Sequence, residues 1–299
     1  FSAGFNSLRR FNDCFQKKLK LTPSSLRKNN AVATDTISLF LSYRPPYAWS
    51  QPRDFLQHRA ITPIEWLDKN SYGRSFTWPS SDGDGDDGNE YIYGQFTATH
   101  NADRHGFNVN INISDITYLM PIVRNIRRIL DLDAAINSID KQLATLIGLD
   151  TKLCSGLRLP GTWSLFEAGV RAILGQQISV SGALKLVATL VQHYGRKQGE
   201  LTLFPLPEDL LNGDLTELKM PKSRRATLVN LAQFMAEKPQ ASPDDWLPLK
   251  GIGPWTIDYA KMRGLSEPDI WLGGDLGVKK ALSQQGITLN PQDASPWQS

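Results

Sequence analysis

The segment Leu249-Lys250-Gly251-Ile252-Gly253-Pro254-Trp255-Thr256 sets two glycines around one apolar residue, between two helix-forming stretches. Glycine lets a backbone turn at positive φ and approach a neighbour closely. The free N–H groups at the start of the next helix can hold a phosphate oxygen. A tight structural turn is the commoner use of such a pattern. Further on, Gly273-Gly274-Asp275 precedes Leu276-Gly277-Val278-Lys279-Lys280. On residue type alone Asp275 reads as a helix N-cap. The third chemical feature is electrostatic. Residues 1–30 carry seven Lys or Arg against one Asp, although the whole chain of 299 residues has a net charge of only +3. A basic terminal block is either a nucleic-acid contact or a solvated tail.

These residues need elements to position them. Ser7 caps a helical stretch in which Leu8, Phe11, Cys14 and Phe15 form one apolar stripe, with Arg9, Arg10, Lys17 and Lys18 on other faces. Asn29–Asp35 is small and polar, a linker. Ile37, Leu39, Leu41 and Tyr43 alternate as in a strand, interrupted by Phe40, and a short helix is expected over Trp49–Ala60. Tyr72–Trp78 and Tyr91–Thr99 are further strands, separated by the acidic, glycine-rich run Ser80–Glu90. Phe107, Val109, Ile111 and Ile113 alternate strictly with asparagines, the clearest strand in the chain. From Tyr118 onward the period becomes helical. Apolar stripes run through Phe166–Leu174, Val180–Val191 (stopped by Gly195) and Leu228–Met235. Residues 118–299 are predicted to be nearly all helix.

Composition narrows the classes. Hydrophobic residues make up 40% and charged residues 21% of the chain, which excludes general disorder. No 18-residue apolar run suggests a membrane span, and residues 1–5 do not form a signal peptide. Two cysteines, Cys14 and Cys154, exclude a Cys₄ cluster or a disulfide scaffold; they fit a reducing compartment, so a cytoplasmic location is expected. The first residue is Phe1, not Met, which reads as a cut within a longer chain.

Longer strings add a resemblance. The hairpin segment, continued as Ile257-Asp258-Tyr259-Ala260-Lys261-Met262-Arg263-Gly264, resembles the helix-hairpin-helix of the DNA glycosylase superfamily. Leu157–Gly195 and Ser42–Ser50 resemble matching segments of AlkA-type DNA-3-methyladenine glycosylase II, and the resemblance spans about residues 37–299. Residues 3–28 resemble the end of an AraC-type helix-turn-helix domain, as in a fusion of an Ada/AraC-type regulator with a glycosylase. The implied fold class is α+β. A small antiparallel β-sheet domain (TBP-like, 37–117) precedes an all-α helix-hairpin-helix domain (118–299, truncated at its C-terminus). Before them come a helix-turn-helix remnant (1–28, with Ser7, Arg9 and Arg10) and a linker (29–36).

The resemblance also implies a chemistry. Base excision breaks a C–N glycosidic bond through an oxocarbenium-like state, which one carboxylate facing the sugar can stabilise. Asp275 matches that carboxylate, twelve residues after Tyr259 having brought Trp271. Trp255, Tyr259 and Phe55 match aromatics of the base pocket. Leu249, Gly251, Ile252, Gly253 and Thr256 match the DNA-binding hairpin, and Gln177 matches the wedge that fills the gap left by a flipped base. Where bifunctional members carry a Schiff-base lysine, this chain has Trp255, which implies a monofunctional, hydrolytic enzyme. No organic or nucleotide cofactor is implied, only a monovalent cation held by the backbone carbonyls of Leu247, Leu249 and Gly251. The implied partner is double-stranded DNA with alkylated bases, bound by a monomer. Ser295–Ser299 resembles the start of a last helix that carries another pocket aromatic, so part of the pocket is expected to be missing. The competing reading is a transcription regulator with a non-catalytic glycosylase-like domain.

Overall fold

The computed structural model describes residues 36–80, 91–147, 155–284 and 286, with backbone alone for 142–147. Ser7, Arg9, Arg10 and the rest of the helix-turn-helix resemblance lie outside the described residues. So do both cysteines, the linker up to residue 35, the acidic run from residue 81 and the stretch Asn290–Ser299.

Five strands form one antiparallel sheet: β1 (Ile37–Ser42), β2 (Glu65–Leu67), β3 (Ser71–Pro79), β4 (Tyr91–Asn101) and β5 (Gly106–Ile113), in the order β1-β5-β4-β3-β2. The strict alternation in β5 makes it a central strand with one apolar face: Phe107, Val109, Ile111 and Ile113 are all buried. In register, Ile111 lies opposite Ile37 of β1 and Phe96 of β4, so three strands feed one layer. Phe40, which broke the pattern of β1, sits on the half-exposed face under the guanidinium of Arg104, 3.9 Å from its ring centroid. Helix α1 (Ser50–Gln57) joins β1 to β2. The sheet's core does not stop at residue 117. Helix α2 (Leu119–Ile129) buries Leu119, Ile122, Val123, Ile126 and Ile129 in the same core. Trp163 closes it, stacked on Phe76 at 4.5 Å and donating its indole N–H to the Thr77 carbonyl at 2.7 Å.

After α3 (Ile136–Ile147), a second core gathers α4 (Leu165–Gly175), α5 (Val180–Tyr194) and α7 (Lys222–Glu237) around the fully buried Trp246. Ser164 and Ser179 cap α4 and α5 through side-chain bonds to Glu167 N and Gly182 N. Gly195 ends α5 as expected, but at φ −66°. What requires glycine there is space, since a Cβ would lie 2.3 Å from the Val191 carbonyl oxygen. The expectation of an almost purely helical second half needs one correction. Strands β6 (Arg196–Gln198) and β7 (Leu201–Leu203) form a hairpin, each strand three residues long and too short to show alternation. The Thr202 carbonyl of β7 accepts the Ser75 hydroxyl of β3, which ties this hairpin to the sheet. Short α6 (Pro207–Leu211) leads to α7. A 3₁₀ turn (Pro243–Trp246), helix α8 (Pro254–Ala260), a π-turn (Lys261–Leu265) and α9 (Leu276–Gln284) complete the described fold. The observed architecture is α+β, as expected.

Candidate active site

A cleft of about 690 Å³ opens between the two cores, lined by α1, β2 and β3 on one side and α4, α5, α8 and the start of α9 on the other. The hairpin forms one wall. Gly251 adopts φ +92°, and a Cβ there would lie 2.1 Å from Thr227 Oγ1 of α7, so the turn needs glycine both for its dihedral and for its contact. Thr227 donates its hydroxyl to the Lys250 carbonyl at 3.0 Å. Gln176, at the end of α4, donates its side-chain amide to the Gly251 carbonyl and to Thr256 Oγ1, both at 3.1 Å. The hairpin is thus pinned from two helices.

Its residues divide by position. Gly251, Gly253 and Thr256 line the cleft, whereas Ile252 is buried in the second core and Leu249 packs against it. Leu247 is 57% exposed. Of the three carbonyls expected to hold a cation, that of Leu249 already accepts Ile252 N and that of Gly251 accepts Gln176. Each keeps a second lone pair, so the bonds present are compatible with coordination. No cluster of three or more His, Cys, Asp or Glu with metal-binding placement occurs among the described residues.

Asp275 stands at the cleft mouth, half-buried, with both carboxylate oxygens engaged. Oδ1 accepts the backbone N–H of Gly277 (2.8 Å) and of Val278 (3.1 Å), so it does cap α9. Oδ2 accepts the Trp255 indole N–H at 3.1 Å. Capping fixes the carboxylate at the N-terminal end of α9, and the indole fixes its rotation. Trp255 in turn meets Tyr259 one helical turn later in α8, with ring centroids 5.4 Å apart and planes at 31°. Both rings line the cleft and are only partly covered. Gln177 lies exposed on the rim in the α4–α5 connection at φ +56°, a conformation that costs a non-glycine residue about 1–3 kcal/mol. Its side chain stands beside the opening.

Phe55 departs from expectation. It does not line the cleft. Its ring packs against the first core and carries two guanidinium groups, Arg59 at 3.8 Å and Arg263 at 4.4 Å from the centroid. The two cations it carries do line the cleft.

Sequence reading missed the cleft floor. Arg74 and Arg171 alternate with Glu65 and Glu167 in a closed buried ring: Arg74–Glu167 2.8 Å, Arg171–Glu167 2.8 Å, Arg171–Glu65 2.7 Å and Arg74–Glu65 3.6 Å. Tyr72 adds its phenol O–H to Glu65 at 2.9 Å. Burial pushes the Glu65 carboxyl up, but Arg171 and Arg74, with the Tyr72 bond, hold it below the usual carboxylate range. One signal was available. Glu167 and Arg171 are spaced i,i+4 in a helix that is otherwise apolar on every side, a pattern that buries a pair.

Residues 38–164 match the AlkA N-terminal domain family. The chain is 31% identical to the "probable bifunctional transcriptional activator/DNA repair enzyme AlkA" of Mycobacterium tuberculosis over 100% of its own length, and it spans 64% of that relative. Among solved structures, the 3-methyladenine DNA-glycosylase from Archaeoglobus fulgidus superposes with a TM-score of 0.64 at 19% identity, covering 86% of this chain and 90% of that one. The 8-oxoguanine glycosylase/lyase of Clostridium acetobutylicum, solved with double-stranded DNA, gives 0.52 at 13% identity over 77% and 89%. Both share the fold. The DNA-3-methyladenine glycosylase 2 of Escherichia coli (strain K12) is 31% identical over 87% of this chain and 93% of that protein, and the chain therefore belongs to the DNA-3-methyladenine glycosylase 2 family.

Proposed function

We propose that the chain is a monofunctional DNA glycosylase that flips alkylated purines of the 3-methyladenine and 7-methylguanine type out of duplex DNA and hydrolyses their glycosidic bond. The observation that carries this reading is the Asp275 carboxylate, held at the cleft mouth by the Trp255 indole and two helix-terminal amides. A base buried in a duplex is out of reach, so the nucleotide must leave the stack. The half-open Trp255–Tyr259 pair offers it a stacking surface, and electron-rich rings favour electron-poor alkylated bases. Gln177 on the rim fills the vacated space, and the hairpin backbone takes a phosphate. As the C–N bond stretches, positive charge grows on the sugar. Asp275 opposes that charge and directs water to the anomeric carbon, and the base departs with the bonding electron pair. No lysine lines the cleft among the described residues, which supports hydrolysis over a Schiff-base route.

The test is release of 3-methyladenine from methylated duplex DNA. Release by the unaltered protein, abolished in Asp275→Asn with duplex binding retained, supports the reading. Equal release by the variant removes Asp275 from its role. Strand nicking without alkali refutes the monofunctional assignment.

The name of the Mycobacterium tuberculosis relative joins a transcriptional activator to a repair enzyme. On that basis residues 1–28 are proposed as the end of a regulator module. A reading frame that encodes a complete double helix-turn-helix upstream of Phe1 would bear this out; one that encodes none would refute it.

A further inference from the structure

Glycine loses more conformational freedom on folding than any other residue, and alanine in its place stabilises a protein wherever the backbone permits it. A glycine therefore calls for a reason, and the fold usually supplies one. Gly195 and Gly251 are explained above by contact and by dihedral. At Gly273 a Cβ would lie 2.3 Å from Trp271 Nε1. Among the described glycines, at Gly253 and Gly274 alone a Cβ would meet no atom within 4 Å while φ lies outside the left-handed region. Both line the cleft. Gly253 is the N-cap residue of α8, at φ −120° and ψ 177°, a conformation open to any residue. Its bare backbone has a use in the phosphate contact proposed for the hairpin. Gly274 has no use assigned.

Gly274 directly precedes Asp275. The Asp275 side chain caps α9, so capping does not call for glycine at 274. On the other side of Asp275, Leu276 begins α9, lines the cleft and is 75% exposed. It belongs to neither apolar core. The carboxylate thus stands between a surface without a side chain and an open apolar one. A flipped deoxyribose matches that pair. Its ring carbons are apolar, it carries a phosphate link on each side that needs room, and its anomeric carbon has to come close to the carboxylate.

We propose that Gly274 and Leu276 form a seat for the deoxyribose of the extruded nucleotide. Gly274 leaves the sugar–phosphate room beside Asp275, and Leu276 packs on the sugar ring. Both are positioning residues. They set the separation between the Asp275 carboxylate and the anomeric carbon, and they take no part in breaking the bond. A side chain at position 274 holds the sugar off, and a misplacement of that kind slows a reaction without touching its chemistry. The inference rests on the proposed glycosylase reading for the flipped sugar, and part of its test needs no catalysis.

The experiment compares Gly274→Ala with the unaltered protein by thermal melting and by single-turnover release of 3-methyladenine. It adds the ratio of Kd values for an undamaged duplex and for one carrying a tetrahydrofuran abasic analogue, which offers a sugar without a base. Gly274→Ala is expected to melt at the same temperature or about 2–4 °C higher. Release should slow about tenfold or more, and the preference for the tetrahydrofuran duplex should drop about tenfold. Leu276→Ser should lower that preference about threefold, and an unaltered ratio removes Leu276 from the seat. A lower melting temperature in Gly274→Ala marks a structural glycine and overturns the proposal, as does an unchanged ratio. If the unaltered protein releases no base but Gly274→Ala still loses the preference, the glycosylase reading falls and the sugar seat stands. If base is released and Gly274→Ala matches the unaltered protein in rate and ratio, the seat falls and the glycosylase reading stands.

Discussion

Two carboxylate-bearing regions of the same cleft are built in opposite ways. On the floor, Glu65 and Glu167 sit inside a closed ring with Arg74 and Arg171, all four nearly dry. At the mouth, Asp275 is half-exposed and has no cation in salt-bridge contact among the described residues; neutral donors hold it, one indole and two backbone amides. A carboxylate locked to guanidinium groups has its charge already spent. One oriented by neutral dipoles keeps its charge available to a cation that forms nearby. The difference separates a structural acid from a chemical one, although both lie along one wall-to-floor path.

The largest effect should come from Asp275→Asn, which keeps shape and removes charge. Base release in single-turnover assays is expected to fall by about 10²–10⁴ while melting temperature changes little. A large loss of stability with modest loss of release would break the comparison. Glu65→Gln should do the reverse. Removing one member of a buried pair strands the other charge, at about 3–5 kcal/mol by chemical denaturation. Its carboxyl is held low in the folded state, so its contribution is complete above the ordinary value of 4.5 and vanishes as pH falls through the folded value. The unaltered protein should therefore lose stability on acidification below about pH 4.5, and Glu65→Gln should show a flatter profile there. Gly251→Ala tests the hairpin that stands between the two regions. A left-handed alanine pressed against Thr227 should cost about 1–3 kcal/mol and weaken duplex binding, measured by thermal melting and by titration with DNA. The smallest expected change is in Trp255→Phe, which keeps a ring but deletes the donor to Asp275 Oδ2. Release should slow about tenfold with stability nearly unaltered, the size of one lost hydrogen bond to a charged group.

The mouth was more legible in the sequence than the floor, for a physical reason. Asp275, Trp255 and Tyr259 lie on neighbouring segments, and their spacing follows from one helix and one cap. Their mutual hydrogen bond was not legible, because it depends on how the π-turn after α8 returns the chain. The floor joins β2 and β3 to α4 across 93 residues, as in the Arg74–Glu167 bond, and no periodicity reports such a distance. Phe55 was legible as an aromatic near the pocket, but the two guanidinium groups that lie on its ring were not, since Arg263 is far away in sequence. Gln176 was passed over for Gln177, although it is Gln176 that clamps the hairpin. Strand periodicity in β5 was plain because one face is wholly apolar, whereas the three-residue strands β6 and β7 are shorter than the signal that would reveal them.

The charge ring also has a consequence for biosynthesis. A ribosome makes Glu65 and Arg74 well before Glu167 and Arg171, with 93 residues between Arg74 and Glu167. At about 5–20 residues per second, Arg74 is made about 5–20 s before Glu167. Of the two ion pairs Arg74 makes in the folded chain, only the longer, 3.6 Å to Glu65, has its partner already made in that interval. The first half of the chain thus emerges with an interior charge whose shorter ion pair later translation must supply.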